Sequence, residues 1–299
     1  MRLNSAFEAR HGEAVKIAPN VARVTAANAG PFTFAGTNTY LVGHNDLAII
    51  DPGPDLPAHF AALRAAIGGR KVSGIFVTHT HRDHTDLVPR IADFTGATIY
   101  GEGPHRAFRA LRGMETNAFD ASADHDITPD QALADGETIS GSGWTLEAVH
   151  TPGHTANHCA FALKEQNILF SGDHVMGWST SIVAPPDGSM AAYLASLEKL
   201  RARGDKLYFP GHGGPVTNPK TFSKALTAHR KMRERAIVQR LRGGDALIPE
   251  IVAALYRDVD NRLHGAAALS VFAHLEHLIE QGRAGTGGEA LLTSRYFAV

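Results

Sequence analysis

The chain has 299 residues, 43% hydrophobic and 20% charged, enough apolar content for one large or two modest cores, which excludes disorder, fibres and staple-dependent mini-folds. A net charge of −1 gives no whole-molecule attraction to nucleic acid or anionic lipid, and the longest charge-free apolar stretch, 265–273, is about half the ~20 residues a spanning helix needs. A lone cysteine, Cys159, allows neither an internal disulfide nor a thiolate cluster, and the N-terminus lacks the apolar core of a secretory signal, so a soluble, cytoplasmic protein with no membrane partner is expected.

From the N-terminus, VARVTA, TNTYLVG and LAIID read as short antiparallel strands, β-branched and aromatic runs bounded by Gly, Asn and Asp. Asp55 is placed to cap a helix with Pro57 in its first turn and Leu56, Phe60, Leu63 and Ile67 at helical spacing. SGIFVTHTH reads as a buried strand entering a His-rich loop. Leu87, Ile91 and Phe94 mark a helix, and ATIY, WTLEAVHT, CAFALK and NILFSGD read as strands. The stretch 113–135 is polar, acidic and weakly periodic, the pattern of a long surface loop. Ser189 opens a helix with Tyr193, Leu194, Leu197 and Leu200 on one side, ahead of the strand KLYFPG. The alternation predicts a mixed α/β body with two sheets and outer helices.

Asn218-Pro219, a cap followed by proline at the first helical position, marks a boundary between a body over 1–218 and a tail over 219–299. The tail carries 12 Lys and Arg against 8 Asp and Glu, so it is mildly basic on an acidic body. It reads as three helices closed by a hairpin from ALLTSRYFAV, a small winged-helix-like unit.

Seventeen histidines are the unusual feature, since imidazole is the commonest metal ligand. THTHRDHTD sets His79, His81, Asp83 and His84 at one strand end. His79 and His81 suit one ion, while Asp83 and His84 can turn toward a second. Neither half-site is complete, because zinc takes about four ligands and a catalytic ion leaves one position for water. His154 in HTPGHT, Asp173 in FSGDH and His212 in FPGHGG supply the remainder, each beside glycine at the C-terminal end of a strand. The expected arrangement is His79, His81 and His154 on one metal, Asp83, His84 and His212 on the other, and Asp173 bridging. Two divalent ions, two carboxylates and a bridging hydroxide leave a net positive site suited to an anionic transition state. Any one of these histidines alone would be an ordinary loop residue; the set is not. His150, His158 and His174 neighbour the proposed ligands and are read as outer or core polar groups, and Cys159 as a buried small hydrophobe.

THTHRDH, TPGHT, SGDH and PGHG, in this order over roughly residues 20–215, resemble the metallo-β-lactamase superfamily. The resemblance implies an αββα sandwich with the metals at one edge and carries the seven ligand roles onto the positions above. It also makes Asp51 of IIDPG a group that orients a ligand imidazole, where the residues alone equally allow a turn-forming Asp. True β-lactamases of this fold carry cysteine or serine at the position of Asp173, so antibiotic hydrolysis is a poor fit, and His81 argues against the redox-iron members, which have glutamate there. Thr85-Asp86 stands where relatives commonly have a Gly pair, which puts the neighbouring pocket's shape in doubt.

The tail resembles the winged-helix-like unit of the beta-lactamase-like protein two group, some members of which cleave single-stranded RNA. Eight basic residues between 220 and 242 (Lys220, Lys224, Arg230, Lys231, Arg233, Arg235, Arg240, Arg242) face one acidic residue, Glu234. They read equally as a phosphate-binding face or a solvated one. The expectation is therefore a dinuclear zinc hydrolase whose metal-bridging hydroxide, oriented by the catalytic Asp83, cleaves an ester, thioester or phosphodiester of a small molecule. Single-stranded RNA and a homo-oligomer are possible partners. A glyoxalase II-like thioesterase and a nucleic-acid-binding protein with a structural metal site are the alternatives.

Overall fold

The computed structural model describes residues 3–244 and 246–299. The strands β1 (Val15–Ala18), β2 (Val21–Thr25), β3 (Asn38–Val42) and β4 (Asp46–Ile50) form an antiparallel meander. Helix α1 (Pro57–Ile67) carries the chain to β5 (Lys71–Phe76), which lies parallel to β4. A one-turn helix α2 (Arg82–Thr85) and α3 (Val88–Thr95) lead to β6 (Thr98–Gly101), and an irregular segment ends in β7 (Gln131–Ala132), so the first sheet runs β1 to β7 in chain order.

The second sheet takes β8 (Thr138–Gly141), β9 (Trp144–His150), β10 (Cys159–Leu163) and β11 (Ile168–Gly172) in antiparallel steps, then β12 (Leu207–Pro210) parallel to β11 after helix α4 (Met190–Ala202). The tail is α5 (Pro219–Arg242), α6 (Ile248–Leu255), α7 (His264–Glu280) and a hairpin of β13 (Ala284–Thr286) with β14 (Tyr296–Ala298).

The period-2 geometry of strands sorts the core. In β4, Ala48 and Ile50 point between the sheets, while Leu47 and Ile49 pack on Leu63 and Ile67 of α1 and Val88 and Ile91 of α3. In β10, Cys159, Phe161 and Leu163 face the inter-sheet core, and Ala160 and Ala162 pack with Tyr193, Leu197 and Leu200 of α4. Both faces of each sheet are thus covered, which gives the expected αββα sandwich. Helix α5 takes part in two cores: Phe222 and Leu226 join the layer over the second sheet, while Ile237, Val238 and Leu241 pack with α6, α7 and the wing. Among the described residues no helix is long and apolar enough to cross a membrane.

Several local expectations need correction. The short edge strands β1 and β8 were not foreseen, because four residues with one partner carry little pattern. Leu56, not Asp55, is the N-cap of α1 and caps with no side chain; Asp55 pairs with Arg90 instead. The 113–135 stretch is anchored, with Ala123, Asp124, Ile127 and Leu133 buried and β7 added to the sheet edge. The wing's first strand is Ala284–Thr286, upstream of the stretch expected to supply the whole hairpin.

Candidate metal centre

All seven residues singled out by spacing come together at one edge of the sandwich. The ligand-type atoms fall into three groups, His79/His81/His154, His79/His84/Asp173 and Asp83/His84/His212, each with its members within 4.8 Å of one another. The loop after β5 serves both ends of this cluster because it changes conformation partway. Its first residues run extended to His81 (φ −79°, ψ 139°), and α2 then turns Asp83 and His84 the other way.

In the first group, His81 Nδ1 lies 3.1 Å from His79 Nε2 and 3.0 Å from His154 Nε2. Three nitrogens sharing a zinc ion at about 2.0–2.1 Å stand roughly 3.3 Å apart, so they are already near ligand spacing. In the Asp83/His84/His212 group, His212 Nε2 is 3.4 Å and His84 Nε2 3.5 Å from Asp83 Oδ2. Asp173 lies between the groups: its Oδ2 is 3.3 Å from His212 Nε2 and 3.9 Å from His154 Nε2, and its Oδ1 is 3.6 Å from His84 Nε2.

The outer nitrogen of four of the five imidazoles is held by a partner that fixes the ring. His84 Nδ1 donates to Asp51 Oδ2 at 2.9 Å, His154 Nδ1 to the Ile182 carbonyl at 2.7 Å, and His212 Nδ1 to the Gly36 carbonyl at 3.3 Å. Thr78 Oγ1 gives its own proton to Asp51 Oδ2 at 2.7 Å and so accepts from His79 Nδ1 at 3.0 Å. These acceptors hold a proton on Nδ1 and aim Nε2 inward. Asp51 is thereby an orienting residue, held in the left-handed region at φ 49°.

His84 Nε2 and Asp173 Oδ1 are buried without a hydrogen-bond partner. Buried polar atoms ordinarily have partners. Two orphans aimed into a cluster of imidazoles and carboxylates fit the donor set of divalent-cation sites. Two glycines make the approach possible. A Cβ on Gly211 would come within 2.7 Å of His84 Cε1, and Gly172 sits at φ 48° with Thr78 Oγ1 2.8 Å from where its Cβ would be.

Electrostatics differ across the cluster. Burial, reinforced by neighbouring imidazoles, holds His79 well below its ordinary value and His81 at about 3, and burial also lowers His154. For His84 burial works in the same direction, but the carboxylates of Asp83, Asp173 and Asp51 outweigh it and push the imidazole up to about 10. His212 is raised for the same reason, with Asp173 its main partner. Burial works against the Asp173 anion, yet His212 and His84 hold its carboxyl far below the usual range. Asp83 has a side chain 28% exposed and, with His81, marks the side open to solvent.

Other histidines divide as follows. His158 Nε2 accepts from the Asp173 backbone N–H at 3.1 Å while Nδ1 donates to Thr151 Oγ1 at 2.8 Å, so it holds the bridge candidate from behind. His150 turns away to the Leu133 carbonyl, and His174 is a buried ring against Tyr193. Cys159 is fully buried. Three contributors went unassigned in the sequence. Thr37 Oγ1 donates to Asp83 Oδ2 at 2.9 Å, Asn38 Nδ2 donates to the Pro210 and Gly213 carbonyls at 3.1 and 2.9 Å and pins the His212 loop, and the Ile182 carbonyl orients His154. The GTNT motif was the available signal for the first two. Thr85 Oγ1 donates to Asp124 Oδ2 at 2.8 Å and ties the 113–135 segment to the metal loop.

The basic run on α5 is not one solvated face. Arg230 is buried, and Arg233 is half-buried with its guanidinium on the Leu255 carbonyl and over the Tyr256 ring. Lys220, Lys224, Lys231, Arg235 and Arg242 are the exposed members.

Residues 32–212 match the sequence profile of the metallo-beta-lactamase superfamily, and residues 248–289 that of the beta-lactamase associated winged helix domain. The chain is 31% identical over 290 residues to the atrochrysone carboxyl ACP thioesterase nsrC of Aspergillus novofumigatus, covering 90% of this chain and 82% of that protein. It is 28% identical over 267 residues to the lactamase-like protein ptaB of Pestalotiopsis fici, covering 84% and 77%. Among solved structures, a metallo-beta-lactamase family protein from Thermus thermophilus superposes with a TM-score of 0.77 at 25% identity, over 94% of this chain and 99% of that one. Sandwich, winged-helix tail and relatives agree: the chain belongs to the metallo-beta-lactamase superfamily and is a hydrolase.

Proposed function

We propose that the protein is a thioester hydrolase working with two zinc ions, one on His79, His81 and His154, the other on Asp83, His84 and His212, with Asp173 shared between them. The observation that carries this reading is the inward convergence of five imidazole nitrogens and two carboxylates. Likeness to proteins named as ACP thioesterases supports the choice of bond. Zinc is the proposed ion because the donors are imidazole and carboxylate without thiolate. Bound there, the ions supply a water of pKa near 7 and polarise the substrate carbonyl.

The protein's own groups do the rest. Asp83, fixed at Oδ2 by Thr37, presents its carboxylate on the open side and orients the attacking water. Asp51, Thr78, Gly36 and Ile182 hold a proton on Nδ1 of their rings, so that Nε2 is the nitrogen left for an ion. A thiol has a pKa of about 8.5, so a thiolate departs without a protein acid, whereas an alkoxide needs one. The seven residues therefore suit a thioester better than an oxygen ester. RNA cleavage and self-association gain no support from the relatives, and two of the eight basic residues are committed inside the fold.

The test is a panel of acyl-pantetheine and glutathione thioesters, oxygen esters and activated phosphodiesters, run after chelation and again after zinc is restored. Thioester turnover should disappear and return. Faster phosphodiester than thioester cleavage, or thioester turnover indifferent to the chelator, would overturn the reading.

A further inference from the structure

We infer that Arg230, on the C-terminal helix α5, is a positioning residue for the His79/His81/His154 half-site, so that the tail helps to hold the metal end of the sandwich. The inference rests on the metal reading above. Arg230 is 4% exposed, and among the described residues no carboxylate pairs with it. Its guanidinium donates through Nη2 to the Ser181 carbonyl, reaches Ser270 Oγ on α7 at 3.5 Å, and lies over the Tyr193 ring at 5.1 Å. Its Nε has no partner. Burying a cation on such partners is costly, and an apolar side chain would fill the space without that cost. What the charge adds is the grip on Ser181.

Ser181 adjoins Ile182, whose carbonyl takes the Nδ1 proton of His154 at 2.7 Å and leaves Nε2 facing His81 Nδ1 at 3.0 Å. The same residue is fixed from the inner side, where Ser181 Oγ donates to the His174 carbonyl at 2.8 Å. If the chain at Ser181 loosened, the adjoining Ile182 carbonyl would release the His154 ring and its tautomer together. The far end of this segment is tied to the tail as well. Asn117 Nδ2 donates to both carboxylate oxygens of Asp187 at 2.9 and 2.8 Å. Its own segment is clamped to α7, where Arg109 Nε donates to Glu276 Oε1 at 2.8 Å.

The experiment measures zinc affinity of the metal-free full chain by chelator competition, together with amide hydrogen exchange over 177–188. Arg230→Met should weaken zinc binding about tenfold, the lower end of what loss of an outer partner does to a metal site, and should speed exchange in that segment. Arg230→Lys should recover part of both. Should Arg230→Met fail to fold, Arg230→Gln, polar but too short to reach Ser181, carries the same expectation. Arg233→Ala is the control, because among the described residues Arg233 holds the Leu255 carbonyl and the Tyr256 ring and does not touch the 181–182 segment: it should lower Tm and leave zinc affinity alone. Unchanged affinity and exchange in the Arg230 variants, or equal weakening by Arg233→Ala, would overturn the positioning role. A parent protein that binds no zinc would instead overturn the metal reading.

Discussion

The two ends of the metal cluster reach readiness by opposite routes. The His79/His81/His154 end is three imidazoles, His79 and His154 buried and His81 at the open side, all lowered chiefly by desolvation, so its lone pairs are already available. The Asp83/His84/His212 end gathers two imidazoles among carboxylates that favour their cations, so in the metal-free protein protons stand in for the missing positive charge. A neutral end needs only an ion; a charged end must first release protons. The same fold edge thus carries a site fixed by desolvation beside one fixed by charge pairing, with Asp173 as the group common to both.

Removing that common group should have the largest effect. Loss of an outer partner costs about 10–100-fold in a metal site, so Asp173→Ala should cost more than about 100-fold in turnover and lower zinc content at both ends, measured by metal analysis alongside thioester kinetics. His212→Ala should leave close to one ion per chain. If Asp173→Ala emptied only one end, the shared role would fail and the two ends would be independent sites.

The next effect is a difference in pH slope. His84, at about 10, is protonated near neutrality, and His212 is raised in the same direction, so metal binding must displace the His84 proton. Affinity of that end should rise with pH, by about tenfold per unit for each proton displaced, and fall off below neutrality. The neutral end has its imidazoles lowered, His81 to about 3, so its affinity should stay flat across the same range. Stepwise zinc titrations at pH 6, 7, 8 and 9 read this directly. Equal slopes for the two binding events would erase the distinction between the ends.

Much of this is legible in the sequence, for a physical reason. Ligands clustered in one loop, and glycine-flanked His and Asp at later strand ends, are local patterns, and strand ends at one sheet edge converge whatever the loop details. The groups that aim the rings were less visible. Asp51 stood out beside its strand, but the carbonyls of Ile182 and Gly36 carry no side-chain signature, since any residue supplies a backbone oxygen. Arg230 was hidden in plain composition: counted in a basic run, it looked solvated. Its spacing to Leu226, Ile237 and Leu241 puts it on the apolar stripe of α5, and that periodicity was the available signal. The edge strands β1 and β8 left too short a pattern to find.

A finer cut between the ends comes from Asp51, which contacts only one side of the cluster directly. Asp51 Oδ2 takes the His84 Nδ1 proton, and its reach to His79 passes through the Thr78 hydroxyl. Asp51→Asn should weaken zinc at the Asp83/His84/His212 end by about tenfold and the other end less, as seen in separate binding steps by calorimetry. Equal weakening would mean that the Thr78 relay matters as much as the direct bond.

The smallest effect should come from the exposed face of α5. Lys220, Lys224, Lys231 and Arg235 fall on one flank of the helix, away from the stripe that buries Leu226, Arg230, Glu234 and Ile237. Neutralising all four leaves the grip of Arg230 on Ser181 and both apolar cores of α5 in place, and exposed charges contribute little to stability. Zinc affinity at each end and turnover of a small thioester should therefore stay within about twofold of the parent, because an exposed charge acts across solvent that screens it within about 8 Å at physiological salt. A larger loss, confined to zinc binding at the charged end, would show that the tail's field reaches the carboxylate-rich half-site. The contrast between the two ends would then depend on charges outside the sandwich as well as on the groups that touch the ions.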